Sequence, residues 1–269
     1  MLVVAQPTPD AHEGDEREGK ATSVLARAAM ILDAFDGTTP SLSLSVLSSR
    51  AGLPKSTVHR FAEQLLELGW LERANGGYRV GMRLFEVGGL AERRNRMRDK
   101  ALPILQQLSA ATHCAVHLAV LDRSEVVYLD KLPIRGLEVP TREGGRMPAH
   151  CTSLGKALLA FADDKEVERV IARGLPRRTP TTITTADGLR AELAAIRKAG
   201  VSYDREEGCE GISCVAAPIR GSGRAIGAVS VANFTGQIDL RAVSGSVQRA
   251  AGGIWHELFG SRAACGTAR

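Results

Sequence analysis

The sequence predicts an α+β chain: an N-terminal winged helix-turn-helix, a linker helix, and a C-terminal antiparallel sheet flanked by helices. Three observations carry this. Residues 41–79 show two short helical periods, a tight turn and a hairpin signal. Residues 83–100 carry one apolar stripe among arginines. From residue 101 onward, strand-like runs joined mostly by short turns lie between helical segments grouped at either end, the pattern of a sheet with helices packed on it. At 269 residues the chain exceeds the usual size of one domain, so two are expected.

Met1 to Lys20 is polar, with Pro7, Pro9, Gly14, Gly19 and an acidic cluster, and reads as a disordered tail. Val24, Leu25, Ala28, Ile31, Leu32 and Phe35 then follow helical spacing, with Thr22 or Ser23 available as a cap. Ser43 can cap the next helix, which shows Leu44 and Leu47 on one side. Gly52 can end it in the left-handed conformation that a tight turn needs. Pro54 suits the start of a second helix, because it has no amide to leave unpaired there. Val58, Phe61, Ala62, Leu65 and Leu66 define that helix's buried face, and Gly69 stops it. Trp70 and Leu71 begin a strand, Asn75-Gly76-Gly77 turns it, and Tyr78 to Val80 returns.

Lys55, Ser56, Thr57, His59 and Arg60 lie at the N-terminal end of the second helix, mostly off its apolar face. Short polar and basic side chains there suit a helix seated in a major groove, and a helix N-terminus favours phosphate. Arg73 and Arg79 on the hairpin are placed to touch the flanking backbone. A helix–turn–helix is also an ordinary packing unit, so the motif alone does not establish DNA binding. Nor does charge. The chain carries a net +5, but Ala21 to Met82 has six Lys/Arg against five Asp/Glu.

Leu84, Phe85, Val87, Leu90 and Met97 form the stripe of one linker helix over 83–100, which can pair with its copy in a second subunit; Pro103 marks its boundary. In the second domain, helices are expected over 101–111, 152–161, 164–172, 186–198 and 238–258. Strands are expected over 115–121, 125–132, 137–141, 201–205, 214–219 and 225–232. The expected domains are a tail at 1–20, the winged helix at 21–82, the linker at 83–100, the second domain at 101–262 and a tail at 263–269.

With 44% hydrophobic and 4% aromatic residues, the cores should be aliphatic. No apolar run reaches the roughly 18–20 residues of a membrane helix, Met1 to Val4 is too short for a signal peptide, and five cysteines in a cytosolic chain argue for free thiols. A soluble, cytoplasmic protein with no membrane partner is expected.

Two segments carry a resemblance to a known family. One is Ala51-Gly-Leu-Pro-Lys-Ser-Thr-Val-His-Arg60 with the wing return Gly77-Tyr-Arg-Val-Gly81. The other combines His150-Cys-Thr-Ser-Leu-Gly-Lys-Ala-Leu-Leu-Ala160, Gly200-Val-Ser-Tyr-Asp204 and Gly211-Ile-Ser-Cys-Val-Ala-Ala-Pro-Ile219. In this order and spacing, the chain from Thr22 to about Gly260 resembles the IclR family of bacterial transcriptional regulators. The resemblance implies a GAF-like effector domain that binds a small metabolite, and a homodimer or homotetramer on a palindromic double-stranded DNA operator. It implies an effector site with main-chain donors at Leu154 and Gly155, polar positions at Asp204, Cys214 and Ser230, and apolar walls from Leu137, Val139, Met147 and Ile212. Ala232 departs from relatives that carry a hydroxyl there. The expected effector is a small carboxylate or aromatic acid. No cofactor, resident metal or catalytic residue is assigned.

Three other readings compete with this one. Ser153-Leu-Gly-Lys156 matches the Ser-x-x-Lys pattern of penicillin-recognising hydrolases, but neither Ser-Asp-Asn nor Lys-Thr-Gly is present. Cys209 and Cys214, or His113, Cys114 and His117, are loose candidates for a metal site. A GAF-like sensor that never touches DNA is the third, and the winged helix argues against it.

Overall fold

The structure is a computed structural model; it describes residues 23–260 except Thr38, Ala91, Glu138 and Pro140, and without the side chains of residues 92–95. The expected tails lie outside the described residues. The chain divides into two compact units, residues 1–91 and 92–269.

In the first unit, α1 (Val24–Asp33) is capped by Ser23, whose hydroxyl accepts the Ala26 amide at 3.0 Å. Helix α2 (Leu44–Ala51) is capped by Ser43 and closed by Gly52 at φ +64°. Helix α3 (Lys55–Glu67) follows Pro54, which stands at the cap position. Strands β1 (Leu71–Ala74) and β2 (Gly77–Val80) are antiparallel. Asn75 and Gly76 between them both have positive φ, as a two-residue hairpin turn of this hand requires. Ile31, Leu47, Val58, Phe61, Leu65, Leu71 and Tyr78 make one core from all five elements. Leu42 and Tyr78 exchange two backbone hydrogen bonds, at 2.8 and 2.9 Å, which fasten the wing to the segment before α2.

The single linker helix expected over 83–100 is two helices. Helix α4 (Met82–Gly89) ends where Gly88-Gly89 weakens the helical state. Helix α5 (Glu92–Thr112) then runs through both the expected boundary and Pro103. Pro103 removes one helical hydrogen bond and crowds the carbonyl four residues before it, a cost that burial of Ala101, Leu105 and Leu108 outweighs.

The second unit is a six-stranded antiparallel sheet of β3 (Ala115–Asp122), β4 (Glu125–Leu132), β5 (Arg146–Pro148), β6 (Ser202–Arg205), β7 (Ile212–Ile219) and β8 (Gly227–Phe234), in the order β5-β4-β3-β8-β7-β6. One face buries Val116, Leu118, Val215, Val229 and Val231 against α5 and α9 (Leu240–Phe259). The other buries Ala119, Val126, Ala216 and Ala228 against α6 (Ser153–Leu159), α7 (Asp164–Ala172) and α8 (Ala186–Ala199). Among the described residues of the run expected as a strand, Leu137, Val139 and Thr141 are not in a strand; Arg146–Pro148 pairs with β4 instead. The Lys131 ammonium takes the carbonyls of Val139 (3.2 Å) and Thr141 (2.8 Å), so those acceptors face a side chain and not a neighbouring strand.

A methyl group on Gly77 would stand 2.4 Å from the Leu42 carbonyl oxygen, against backbone that cannot yield cheaply. Gly77→Ala is expected to destabilise the first unit by about 1–3 kcal/mol, in the range of other overpacking changes. Thermal denaturation followed by circular dichroism checks this, and an unchanged melting temperature would mean that the wing is not held by Leu42.

Candidate functional site

The first unit presents the N-terminal half of α3 outward. Lys55, Ser56, His59 and Arg60 are exposed and Thr57 is half-buried, while Val58, Phe61 and Ala62 turn in to the core. No side chain caps the helix, and its first turn holds no acidic residue, which leaves an electropositive end. The Arg60 guanidinium lies 5.5 Å from the Phe61 ring centre. The wing cations are placed differently from Lys55 and Arg60. Arg73 pairs with Glu63 of α3 and sits 4.6 Å over the Tyr78 ring. Glu63 also stands 3.7 Å from His59, so this carboxylate ties the helix to the wing. Arg79 pairs with Glu72 at 2.7 Å. Glu72 also accepts the Met82 amide at 2.9 Å, and that bond, then Arg79, holds its carboxyl below the usual range.

In the second unit, strand register assembles the other candidate residues. Asp204 faces Cys214, Cys214 faces Ala232 and Ala232 faces Ala115, a row across four strands. The next row on the same face runs Ser202, Ala216, Ser230, His117 and Lys131. Asp204, Cys214 and Ser230 therefore share one sheet face, although they are spread over 27 residues of sequence. Leu137 and Ile212 pack on Ala115 and Ala232, and Val139 joins them. Met147 and Leu154 pack with Tyr128 in the adjoining cluster. Leu137, Val139 and Thr141 lie over the face as a flap, held by Lys131 and by a 3.1 Å hydrogen bond between His117 Nε2 and Thr141 Oγ1.

Leu154 and Gly155 are at the start of α6, next to this face, but the Gly155 amide is already accepted by Thr152 Oγ1 at 3.0 Å. Gly155 is a glycine for packing reasons: a Cβ there would lie 2.2 Å from the Ala149 oxygen. Asp204 is buried, and Glu207 donates its amide to Oδ1 at 2.7 Å. Loss of solvent raises this carboxyl to about 7, with Glu207 adding to the rise, while the Glu207 amide, Lys156 and the Gly208 amide oppose it. Desolvation, then Lys131, pushes His117 down to about 3, so its ring is neutral. Burial raises the thiols of Cys151 (to about 12), Cys209 and Cys214.

Lys156 has no solvent exposure; its ammonium lies 2.6 and 2.7 Å from the Glu207 carboxylate and 3.1 Å from Glu192. It is thus held between two carboxylates. The Ser-x-x-Lys spacing here serves a buried ion pair. Among the described residues, no three His, Cys, Asp or Glu side chains converge as a metal would require, and no helix is long and apolar enough to cross a membrane.

Sequence reasoning weighed His117 only as a metal ligand and did not place Tyr128 or Glu207 at the site. The alternation Ala115, His117, Ala119 carries the signal for His117, since residues two apart share a face. Nothing local marks Glu207. The surface openings that stand out lie elsewhere. A groove of about 320 Å³ borders Phe161, Arg197, Pro218, Arg220 and Gln248, and one of about 150 Å³ borders Glu168, Arg190 and Leu193. Asp204, Cys214 and Ser230 border neither; Asp204 and Ser230 are buried and Cys214 is half-buried.

Comparison with known proteins agrees with both halves. The family model of the bacterial transcriptional regulator IclR C-terminal domain matches residues 91–253, and that of the IclR helix-turn-helix domain matches residues 24–74. The chain is 34% identical over 220 residues to the HTH-type transcriptional regulator XynR of Escherichia coli, covering 80% of this chain and 87% of that one. It is 31% identical over 201 residues to the transcriptional repressor IclR of the same organism, covering 72% and 73%. A crystal structure of an IclR homologue from Microbacterium hydrocarbonoxydans, complexed with 4-hydroxybenzoate, superposes with a TM-score of 0.79 at 33% identity, covering 88% of this chain and 99% of that one. An N-terminal reading head and a C-terminal antiparallel sheet domain, each matched by its own family model, place this chain in the IclR family of bacterial transcriptional regulators.

Proposed function

We propose that this regulator grips a palindromic operator as a homodimer or homotetramer, and that a small organic acid bound over Asp204, Cys214 and Ser230 changes its hold on DNA. The observation that carries the reading is the register of the sheet, which brings these three polar side chains to one face beneath a side-chain-tethered flap.

On the DNA side, α3 enters the major groove with Lys55, Ser56, Thr57, His59 and Arg60, and paired copies reach grooves about 34 Å apart on adjacent half-sites. Arg73 and Arg79 reach the flanking phosphates by exchanging Glu63 and Glu72 for them, so part of their phosphate attraction is offset by the lost pairs. The partner surface is α4. None of its residues is buried, and Met82, Phe85, Val87 and Leu90 are exposed, with Phe85 77% and Leu90 80% accessible. A contiguous apolar surface of this kind is covered in a working assembly, and a second copy of α4 supplies a matching one.

On the effector side, an acid can sit beside Asp204 because that carboxyl keeps its proton near neutral pH, so two negative charges need not meet. The relative bound to 4-hydroxybenzoate supports an acid of this size. Access requires the flap to lift from His117 and Lys131. Binding that prefers one arrangement of the second unit alters DNA affinity by linkage. The soluble, cytoplasmic location expected for such a regulator belongs to the same proposal.

Arg60→Ala is expected to weaken binding to the DNA upstream of the regulator's own gene by about 1–3 kcal/mol and to flatten its salt dependence. Fluorescence anisotropy at several salt concentrations reads both, and unchanged affinity throughout removes Arg60 from the interface. Phe85→Glu combined with Leu90→Glu should shift the protein toward monomer in sedimentation velocity; an unaltered mass would show that α4 is not the contact.

Asp204 gives a pH test. Its folded pKa, about 7, exceeds the usual carboxylate value of about 3.9. The stability contributed by its protonated form is therefore full below about pH 4 and is lost as pH rises through about 7. The thiols of Cys151, Cys209 and Cys214 and the Tyr128 hydroxyl, which face it, are all pushed upward and leave this window clear; Lys156 and Glu207 are the charged groups beside it. Asp204→Asn should gain melting temperature relative to the parent between about pH 5 and pH 8. A difference independent of pH would show that Asp204 ionises normally.

A further inference from the structure

Residues 176–182 form a strap along the edge of the effector face, and both ends are pinned to elements that build it. The His150 Nε2–H donates to the Pro176 carbonyl at 3.1 Å, which ties one end to the turn preceding α6. At the other end the hydroxyls of Thr179 and Thr182 donate to the Glu207 carbonyl (3.3 and 2.7 Å), and the Thr181 hydroxyl donates to the carbonyls of Arg205 (3.1 Å) and Glu206 (2.9 Å). Thr182 Oγ1 also accepts the amides of Arg178 (3.1 Å) and Thr179 (2.9 Å). The backbone of Arg178 is thus held in a turn over the β6–β7 connection. Its charge reaches His150 and Cys151 on one side and Cys209 on the other, and Asp204 acts on the same two thiols.

The cations around the site differ in what occupies them. Lys156 is held by Glu207 and Glu192, and Lys131 by the carbonyls of Val139 and Thr141. Arg177 donates to the Pro180 carbonyl at 2.9 Å, and Arg205 lies 4.8 Å over the Tyr203 ring. Among the described residues, Arg178 donates only its main-chain amide and its side chain is exposed. A guanidinium offers two parallel N–H groups that match the two oxygens of a carboxylate.

We propose that Arg178 receives the effector's carboxylate at the edge of the site, and that this contact selects acids over neutral analogues of the same shape. The inference rests on the effector reading above and adds the residue that recognises charge. The anion then lies between the strap and the sheet, with its uncharged body toward Cys214, Ser230 and the apolar wall. Occupying Arg178 would also load the strap, whose threonines grip the connection that carries Asp204 and Glu207.

The test uses the full-length chain and isothermal titration calorimetry with acid and amide pairs: 4-hydroxybenzoate with 4-hydroxybenzamide, benzoate with benzamide, and pyruvate with pyruvamide. At least one acid should bind the parent protein and outbind its amide. Arg178→Gln should lower acid affinity by at least about tenfold and erase the acid–amide difference. Arg178→Lys should restore part of the affinity, and Arg177→Gln should leave it unchanged. If Arg178→Gln keeps both affinity and discrimination while Ser230→Val loses binding, the effector site stands and Arg178 is not its charge reader. Amides that bind the parent as tightly as acids overturn the inference in the same way. If no compound binds the parent, the acid-effector reading falls and takes this inference with it.

Discussion

The second unit depends on a charge that water cannot reach. Lys156 is fully buried, and a buried ammonium is tolerable only when opposite charge and hydrogen bonds surround it. Glu207 supplies most of that compensation and Glu192 the rest. The arrangement constrains more than one pair. Glu207 also gives its amide to Asp204 and its carbonyl to Thr179 and Thr182. A single residue thereby joins α6, the β6–β7 connection and the 176–182 strap. Removing one partner of such a pair commonly costs about 3–5 kcal/mol, because the other is left charged and desolvated. The same desolvation that makes the pair costly to break raises Asp204 toward neutrality. Rigidity and proton retention at the effector face have one physical origin.

The first unit works by a different economy. Its core is small, with Phe61 and Tyr78 among the aliphatic side chains, and its stability rests on local devices: hydroxyl caps on α1 and α2, a left-handed Gly52, and a hairpin turn at Asn75-Gly76. Charge there is paired across the surface. Glu63 sits between His59 and Arg73, and Glu72 joins Arg79 to the start of α4. Exposed pairs of this kind contribute little to stability. In the proposed DNA complex, phosphates would compete with these carboxylates for the wing arginines, whereas Lys55 and Arg60 are exposed on α3. The two carboxylates act separately: Glu63 touches α3 and the wing, and Glu72 touches the wing and the start of α4.

The effector face shows how a site can be assembled and yet closed. Floor residues such as Ala115, Cys214, Ser230 and Ala232 are small; Ile212 stands beside Cys214 on the same strand face, and the larger Leu137 packs against Ala115 and Ala232. His117 and Lys131 hold the flap by hydrogen bonds to Thr141 and to main-chain carbonyls, which are exchangeable for bonds to water or ligand. The strap opposite is fastened more densely, by three threonine hydroxyls and His150. In the proposed site a ligand would meet one exchangeable wall and one more densely fastened one.

Much of this protein is legible in its residues. Periodicity placed α1, α2, α3, α7 and α8 to within a few residues, because amphipathic spacing, caps and terminating glycines are local properties. The strands β3 and β4 followed from alternating apolar residues around a short turn. The family resemblance pointed to Asp204, Cys214 and Ser230, which share one face of the sheet. Other features were decided only by tertiary contacts. The passage of α5 through Pro103 depends on packing against the sheet, which outweighs local propensity. The carbonyls of Val139 and Thr141 face a lysine from β4 and not a neighbouring strand. His117 became part of the effector face through register with Ser230, and Lys156 took its ion pair with Glu207 from 51 residues away. Helix caps and turns are written in adjacent residues; a buried charge and its partner are not, because only the folded chain removes the water that would otherwise solvate them separately.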